Sequence, residues 1–154
     1  MPTKSLDTLE ELIGWESPAF SVDIENGRVA DFAEALHDDD PVFRDPVEAQ
    51  SRGLSGCPVP VTFFGALFYL DRDVHEPDLG FRTEDKLHGE QEFEFERIPT
   101  AGETLSGKTT LVDVTQQEHG SGTLTTAILE TEYRDQEGDL VVTGRKTLLE
   151  VSDQ

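Results

Sequence analysis

The segment Pro60-Val61-Thr62-Phe63-Phe64-Gly65-Ala66-Leu67-Phe68-Tyr69-Leu70 constrains this chain more than any other. Pro60 suits a first helical turn, where its missing N–H would be unsatisfied anyway. The residues that follow are apolar on every side of a helix, so a helix over about 60–70 has to be surrounded by protein. Together with Pro58 and Val59 this is the longest apolar run in the chain. It is too short to span a bilayer, and Asp71 and Asp73 follow it closely.

The remaining elements must enclose that helix. Ser5 to Gly14 reads as a short amphipathic helix, with Leu6, Leu9 and Ile13 on one face and Gly14 to end it, inside an N-terminal extension over 1–17. Phe20 to Glu25 alternates as a strand. After a turn at Asn26-Gly27, helical spacing returns with Val29, Phe32 and Leu36. Pro41 discourages helix at Asp40, and residues 42–59 read as loop, with Pro46, Gly53, Gly56 and Pro58.

Beyond the apolar helix the pattern is all strand. Leu87 to Ile98 sets Glu90, Glu92, Glu94 and Glu96 on one face against Gln91, Phe93 and Phe95 on the other, so one face meets solvent and one the core. Thr104 to Thr115 and Thr123 to Tyr133 follow, joined through His119-Gly120-Ser121-Gly122. Asp135 to Asp139 turns into a last strand, Leu140 to Val151. One buried helix among long antiparallel strands is an α+β pattern. A curved sheet wrapped around a single helix, the hot-dog architecture, satisfies all of these demands within one domain over 1–154.

Charge sets the surface. The chain has 33 acidic and 12 basic residues, a formal net charge of −21, and its lysines are only Lys4, Lys86, Lys108 and Lys146. The acids recur along the whole length, so they coat the surface and repel one another. Molar salt, with a Debye length of about 3 Å, screens that repulsion. A cytoplasm of high ionic strength, as in extreme halophiles, is the expectation; an acidic protein with a basic partner is the alternative. Nucleic-acid binding is disfavoured, since little here could neutralise a phosphate backbone. Cys57 has no cysteine to pair with and no metal-binding neighbourhood, and Gly120-Ser121-Gly122 lacks the Lys-Ser/Thr of a phosphate loop. Neither a metal nor a cofactor is expected.

Two stretches carry a resemblance. His37-Asp38-Asp39-Asp40-Pro41-Val42-Phe43-Arg44-Asp45 resembles the hydratase motif of the MaoC-like (R)-specific enoyl-thioester hydratases and dehydratases, roughly Gly-Asp-x-Asn-Pro-aliphatic-His-x-Asp. Leu87 to Arg97, then Pro99-Thr100-Ala101-Gly102-Glu103-Thr104-Leu105, is similar to the strand and turn that open the second half of their N-terminal-type domains. The order and spacing of these landmarks fit from about Phe20 to Val151.

The resemblance implies a chemistry. In that family an Asp and a His hold a water against the 2,3-bond of a thioester, as general base and acid. Backbone N–H groups at the start of the buried helix hold the thioester oxygen as it gains enolate charge. Carried over, the Asp falls on Asp38, the Asn position on Asp40 and the His position on Phe43. Pro60, Val61 and Thr62 then join Asp40 and Phe43 as substrate contacts.

Phenylalanine cannot exchange a proton, so the catalytic pair is broken at Phe43. His37 adjoins Asp38 but projects in another direction. His75 sits in an acidic loop, His88 on a strand and His119 at a hairpin. The family supplies an explanation: some members are two-domain chains or heterodimers in which one hot-dog domain keeps Asp and His and the other shapes the acyl channel. By resemblance this chain is such a partner, in a homo- or heterodimer acting on an acyl group carried by coenzyme A or an acyl carrier protein.

Two other readings stay open. One is a self-sufficient homodimeric hydratase or thioesterase that uses Asp38 and another base; the other is a non-enzymatic acyl-binding protein. Asp38 to Asp40 also reads as a plain solvated acidic loop, and Phe63, Phe64, Phe68 and Tyr69 as core. Whether the chain is an enzyme by itself is therefore left undecided by its sequence.

Overall fold

The alternation legible in the strands becomes the two faces of one sheet. The computed structural model describes residues 4–70 and 76–153. Five strands, β1 (Phe20–Asp23), β2 (Lys86–Phe95), β3 (Thr104–His119), β4 (Gly122–Arg134) and β5 (Leu140–Asp153), form one antiparallel sheet in the order β1-β3-β4-β5-β2. Two hairpins drive it. At the first, His119 pairs with Gly122 around Gly120, whose φ of 61° suits glycine. At the second, Asp135 Oδ1 accepts from the N–H groups of Glu137 and Asp139, and Gly138 has φ 87°.

Five short helical elements precede β2. They are α1 (Leu6–Glu10), α2 (Asn26–Ala35), a 3₁₀ turn at Pro41–Phe43, α3 (Pro46–Ser51) and α4 (Phe63–Leu70); a second 3₁₀ turn, Thr83–Asp85, leads directly into it. The hot-dog expectation holds: α4 lies against the sheet through Phe63 and Phe64, both buried. Phe63 stacks edge-on against Phe32 of α2 at 5.7 Å and against Phe64 at 5.8 Å, each contact adding about 0.5–1.5 kcal/mol beyond its buried area.

Several boundaries differ from the sequence reading for definable reasons. α4 begins at Phe63, because Pro60 to Thr62 make a tight turn in which the Phe63 N–H donates to the Pro60 carbonyl. Asn26 and Gly27 are no turn but the first residues of α2. The stretch 42–59 is not all loop: Asp40 and Asp45 each cap a helical turn, with Pro41 and Pro46 at the first helical position. α1 stops at Glu10, so the apolar face turns toward Leu12 and Trp15 and leaves Ile13 exposed.

The core is two clusters on the same face of the sheet. One gathers Val22, Ile24, Val29, Val59, Phe63 and Phe64 under α2 and α4. The other gathers Leu9, Leu79, Leu111, Leu129 and Leu148 under α1 and the 79–81 segment. The N-terminal helix thus packs on the second cluster through Leu6 and Leu9. Among the described residues, no helix is long and apolar enough to cross a membrane.

Candidate functional site

The motif region opens on the end of α2. The His37 N–H donates to the Glu34 carbonyl and the Asp38 N–H to the Ala33 carbonyl, a double helix stop that needs a left-handed residue between them. His37 supplies it with φ 57°, among the described residues the one non-glycine with positive φ. Asp38, half-buried, is thereby fixed at the head of the next turn.

Three carboxylates and two arginines then tie this loop together. Asp38 Oδ1 accepts the Asp40 N–H at 3.0 Å, and Asp40 Oδ1 accepts the Val42 N–H at 3.0 Å. Arg44 donates to the Asp38 carbonyl at 2.8 Å and the Asp40 carbonyl at 3.2 Å. Arg52, from the end of α3, takes the Asp40 carboxylate with both terminal nitrogens and also reaches Glu48. The Arg52 hydrogen bond, helped by the Val42 N–H, holds the Asp40 carboxyl below the usual carboxylate range.

Phe43 leaves this turn on its inner side. It is partly buried and packs on the cluster that contains Phe63, so the position of the motif's His is part of the core. Of the histidines, His37 is exposed, and His88 donates through Nε2 to the Glu90 carbonyl on β2. His75 lies outside the described residues. No side chain from His88 is brought to Asp38, since β2 is the far edge strand of the sheet.

The start of α4 is held from the other side. Cys57 and Val59 exchange backbone hydrogen bonds with Ala101 and Pro99, and Gly56 lies so close that an added Cβ would meet the Ala101 oxygen at 2.8 Å. The turn they rest on is itself clamped: Glu103 accepts from the Thr100 N–H and from Arg97, which also reaches Asp135. Burial pushes the Glu103 carboxyl up, but Arg97 and the Thr100 N–H outweigh it and hold it low. Burial likewise raises the Cys57 thiol, which is inert packing. Pro60 is buried, whereas Val61, 65% exposed, and Thr62 stand open at the head of the helix.

A cavity of about 290 Å³ runs between α4 and the sheet, walled by Phe64, Phe93, Leu129, Tyr133 and Leu148. Its open end is polar, with Lys86 and Lys146 both clamping Glu76. Burial pushes the Glu76 carboxyl up, and the two ammonium groups overcome that and hold it below the usual range. Sequence reading missed this cavity, because its walls come from five separate elements. Among the described residues no group of three or more His, Cys, Asp or Glu side chains is arranged to hold a metal.

Comparisons with known proteins agree with this geometry. The chain matches the family described as FAS1-like, dehydratase domain region, over residues 11–144. It is 34% identical over 135 residues to a UPF0336 protein of Saccharopolyspora erythraea, covering 86% of this chain and 83% of that one. The fold is similar to that of the C-terminally truncated HadBC (3R-hydroxyacyl-ACP dehydratase) complex from Mycobacterium tuberculosis, with TM-score 0.74 and 21% identity over 90% of this chain and 96% of that one. It also resembles a MaoC-like dehydratase, with TM-score 0.77 and 22% identity over 94% of this chain but 43% of the other. With its sheet wrapped on α4 and its motif loop in place, this chain belongs to the FAS1-like dehydratase domain family, among hot-dog folds of the MaoC-like dehydratase and hydratase type.

Proposed function

We propose that this chain is the substrate-channel half of a 3-hydroxyacyl-thioester dehydratase or, for the reverse reaction, of an (R)-specific enoyl-thioester hydratase, and that it works with a MaoC-like subunit carrying an intact Asp and His. The observation that carries the reading is Phe43. A core-packed phenyl ring stands where the motif has its acid/base histidine, and loss of one partner of such a pair removes much of a 10²–10⁴-fold contribution, to order of magnitude.

The rest of the loop supports a retained scaffold around that gap. Asp38 stays fixed by the helix stop, and Val61 and Thr62 lie open at the head of α4, where a thioester oxygen would be received. The cavity behind them gives an acyl chain room, and the similar HadBC structure is that of a complex, which supports a paired role. The acyl carrier is coenzyme A or an acyl carrier protein. We place the protein in a cytoplasm of high ionic strength, where its charge is screened.

The test is enzymatic. The chain is purified in molar salt and assayed for hydration of a short enoyl-coenzyme A, alone and mixed with a MaoC-like subunit encoded beside it. Activity only in the mixture, unchanged by Asp38→Ala in this chain, is the expected result. Robust activity of this chain alone, abolished by Asp38→Ala, overturns the partner reading in favour of a self-sufficient homodimer. Absence of both activity and complex formation overturns it in favour of a non-enzymatic acyl-binding protein.

A further inference from the structure

Lysine is scarce in this chain, and its placement is uneven. Of the four, Lys4 meets Asp78 and Lys108 meets Glu16, each a carboxylate more than half exposed. The other two converge: Lys86 donates to Oε2 of Glu76 and Lys146 to Oε1. They come from β2 and β5, and the side chain of the glutamate they share is only 14% exposed. Half of the lysines thus meet on one carboxylate, in a chain with 33 acids to 12 bases. Two ammonium groups, one on each oxygen, make a receptor for a carboxylate.

That receptor stands at the open end of the cavity, which Glu76, Lys86 and Lys146 all line. Lys146 leaves β5 on the same face as Gly144 and Leu148, which wall the cavity on either side of it. Glu76 lies in the stretch 76–82, which is neither helix nor strand, so its withdrawal breaks no strand pairing. The two ammonium groups keep it ionised at neutral pH.

Beyond Lys146 the walls turn apolar. Leu129 is its neighbour on β4, Phe93 lies opposite Gly144, and the Phe64 ring stands 6.4 Å from Phe93 and 4.7 Å from Tyr133. From Lys146 to Val142, whose partner Phe95 also packs on Phe64, is roughly 13 Å of extended strand. Gly65 and Gly144 keep this depth open, since a Cβ there would come 3.7 Å and 3.3 Å from the Phe93 ring. The cavity is therefore cationic at its mouth and apolar in its depth.

We infer that the cavity binds a free medium-chain carboxylic acid, tail inward and carboxylate on Lys86 and Lys146, and that Glu76 holds that carboxylate's place when the acid is absent. Charge complementarity selects the head group, because an alcohol or a thioester brings no anion to the ammonium pair. The inference goes beyond the acyl-channel reading but concerns the same space. The tail of a bound acid reaches toward the Phe64 ring in the first turn of α4, so the acid excludes an acyl chain from the cavity.

Calorimetry in molar salt tests this with octanoate and its neutral analogue 1-octanol, on the wild type, Glu76→Gln and Lys146→Met, each first shown by melting to be folded. The site is mostly buried, so salt screens it less than a surface pair. Glu76→Gln removes the internal competitor and is expected to bind octanoate about tenfold more tightly than the wild type, with 1-octanol unchanged. Lys146→Met is expected to weaken octanoate by a similar factor and again to leave 1-octanol unchanged. Either variant decides alone should the other fail to fold. Octanoate affinity that does not rise in Glu76→Gln or does not fall in Lys146→Met, or that moves together with that of 1-octanol, overturns the carboxylate site and leaves the acyl channel standing. Failure of both ligands to bind any of the three proteins overturns the inference and the channel together.

Discussion

Arg52 grips Asp40 fork to fork, Nη1 3.0 Å from Oδ2 and Nη2 2.9 Å from Oδ1. The pair ties the end of α3 to the cap of the 3₁₀ turn, so the carboxylate at the motif's Asn position is engaged within the loop itself. Any substrate contact from Asp40 would have to share it with Arg52.

That engagement has a pH signature. The Asp40 carboxyl titrates lower in the folded chain than its ordinary 3.8. Its contribution is therefore complete above the unfolded value and is lost as pH falls through the folded one. Asp40→Asn should melt below the wild type at neutral pH in low salt, with the two melting curves converging as the pH is taken well below 3.8. The pair is solvent-facing, so molar salt should also narrow the gap. A gap that stays constant across the acid range would show that the carboxylate charge is immaterial.

His37 holds a left-handed conformation that the helix stop imposes and that a side chain resists by about 1–2 kcal/mol. Glycine removes the clash but loses more entropy on folding. His37→Gly is therefore expected to stabilise the fold by about 0.5–1 kcal/mol in urea denaturation, the difference between those two effects. It should leave any activity of the assembled enzyme intact, since the imidazole has no part in the proposed chemistry. A loss of activity with raised stability would instead identify His37 as the missing base.

Tyr133 should be silent in a spectrophotometric titration. Burial pushes its phenol well above the ordinary value of 10.0. The folded state therefore favours the neutral form; stability from this group is full below the unfolded value and is lost as pH rises through the folded one. At about pH 11, where a free phenol is mostly ionised, the phenolate absorbance of Tyr133 should be missing until denaturant is added. Tyr133→Phe should remove that denaturant-dependent step. A step that persists in the variant would assign it to Tyr69.

Much of this fold is legible in the chain because a few patterns are local. Glu90 to Phe95 alternates with the period of a strand and becomes β2, and the apolar run after Thr62 becomes α4. The prolines misled in two places: Asp40-Pro41 and Asp45-Pro46 each look like loop and are each a cap followed by a first helical residue. The missing histidine at Phe43 could be seen by resemblance alone. The partnership of Asp40 with Arg52 could not, because it depends on where α3 ends. Nor could the cavity, since Gly65 and Gly144 meet only through Phe93, a residue on a third element.

Phe43 offers the most direct probe of the motif. Its ring is partly buried on the α4 cluster, beside a loop whose Asp38 is held by the stop of α2. Phe43→His would put an imidazole at the position that holds His in the motif this loop resembles, at some cost in packing. If Asp38 keeps the geometry of that family, the variant alone should hydrate a short enoyl-coenzyme A at least about tenfold faster than the wild type, a modest share of what general acid/base catalysis supplies. The rate should show a rising acid limb as the imidazole loses its proton, near its ordinary value of about 6.5. Asp38→Ala in the same background should return the rate to that of the wild type, whereas Asp39→Ala, on an exposed neighbour, should not. A folded Phe43→His variant with no gain would mean that the Asp38 carboxylate, turned to the Asp40 N–H at 3.0 Å, is a loop cap and no longer a catalytic group.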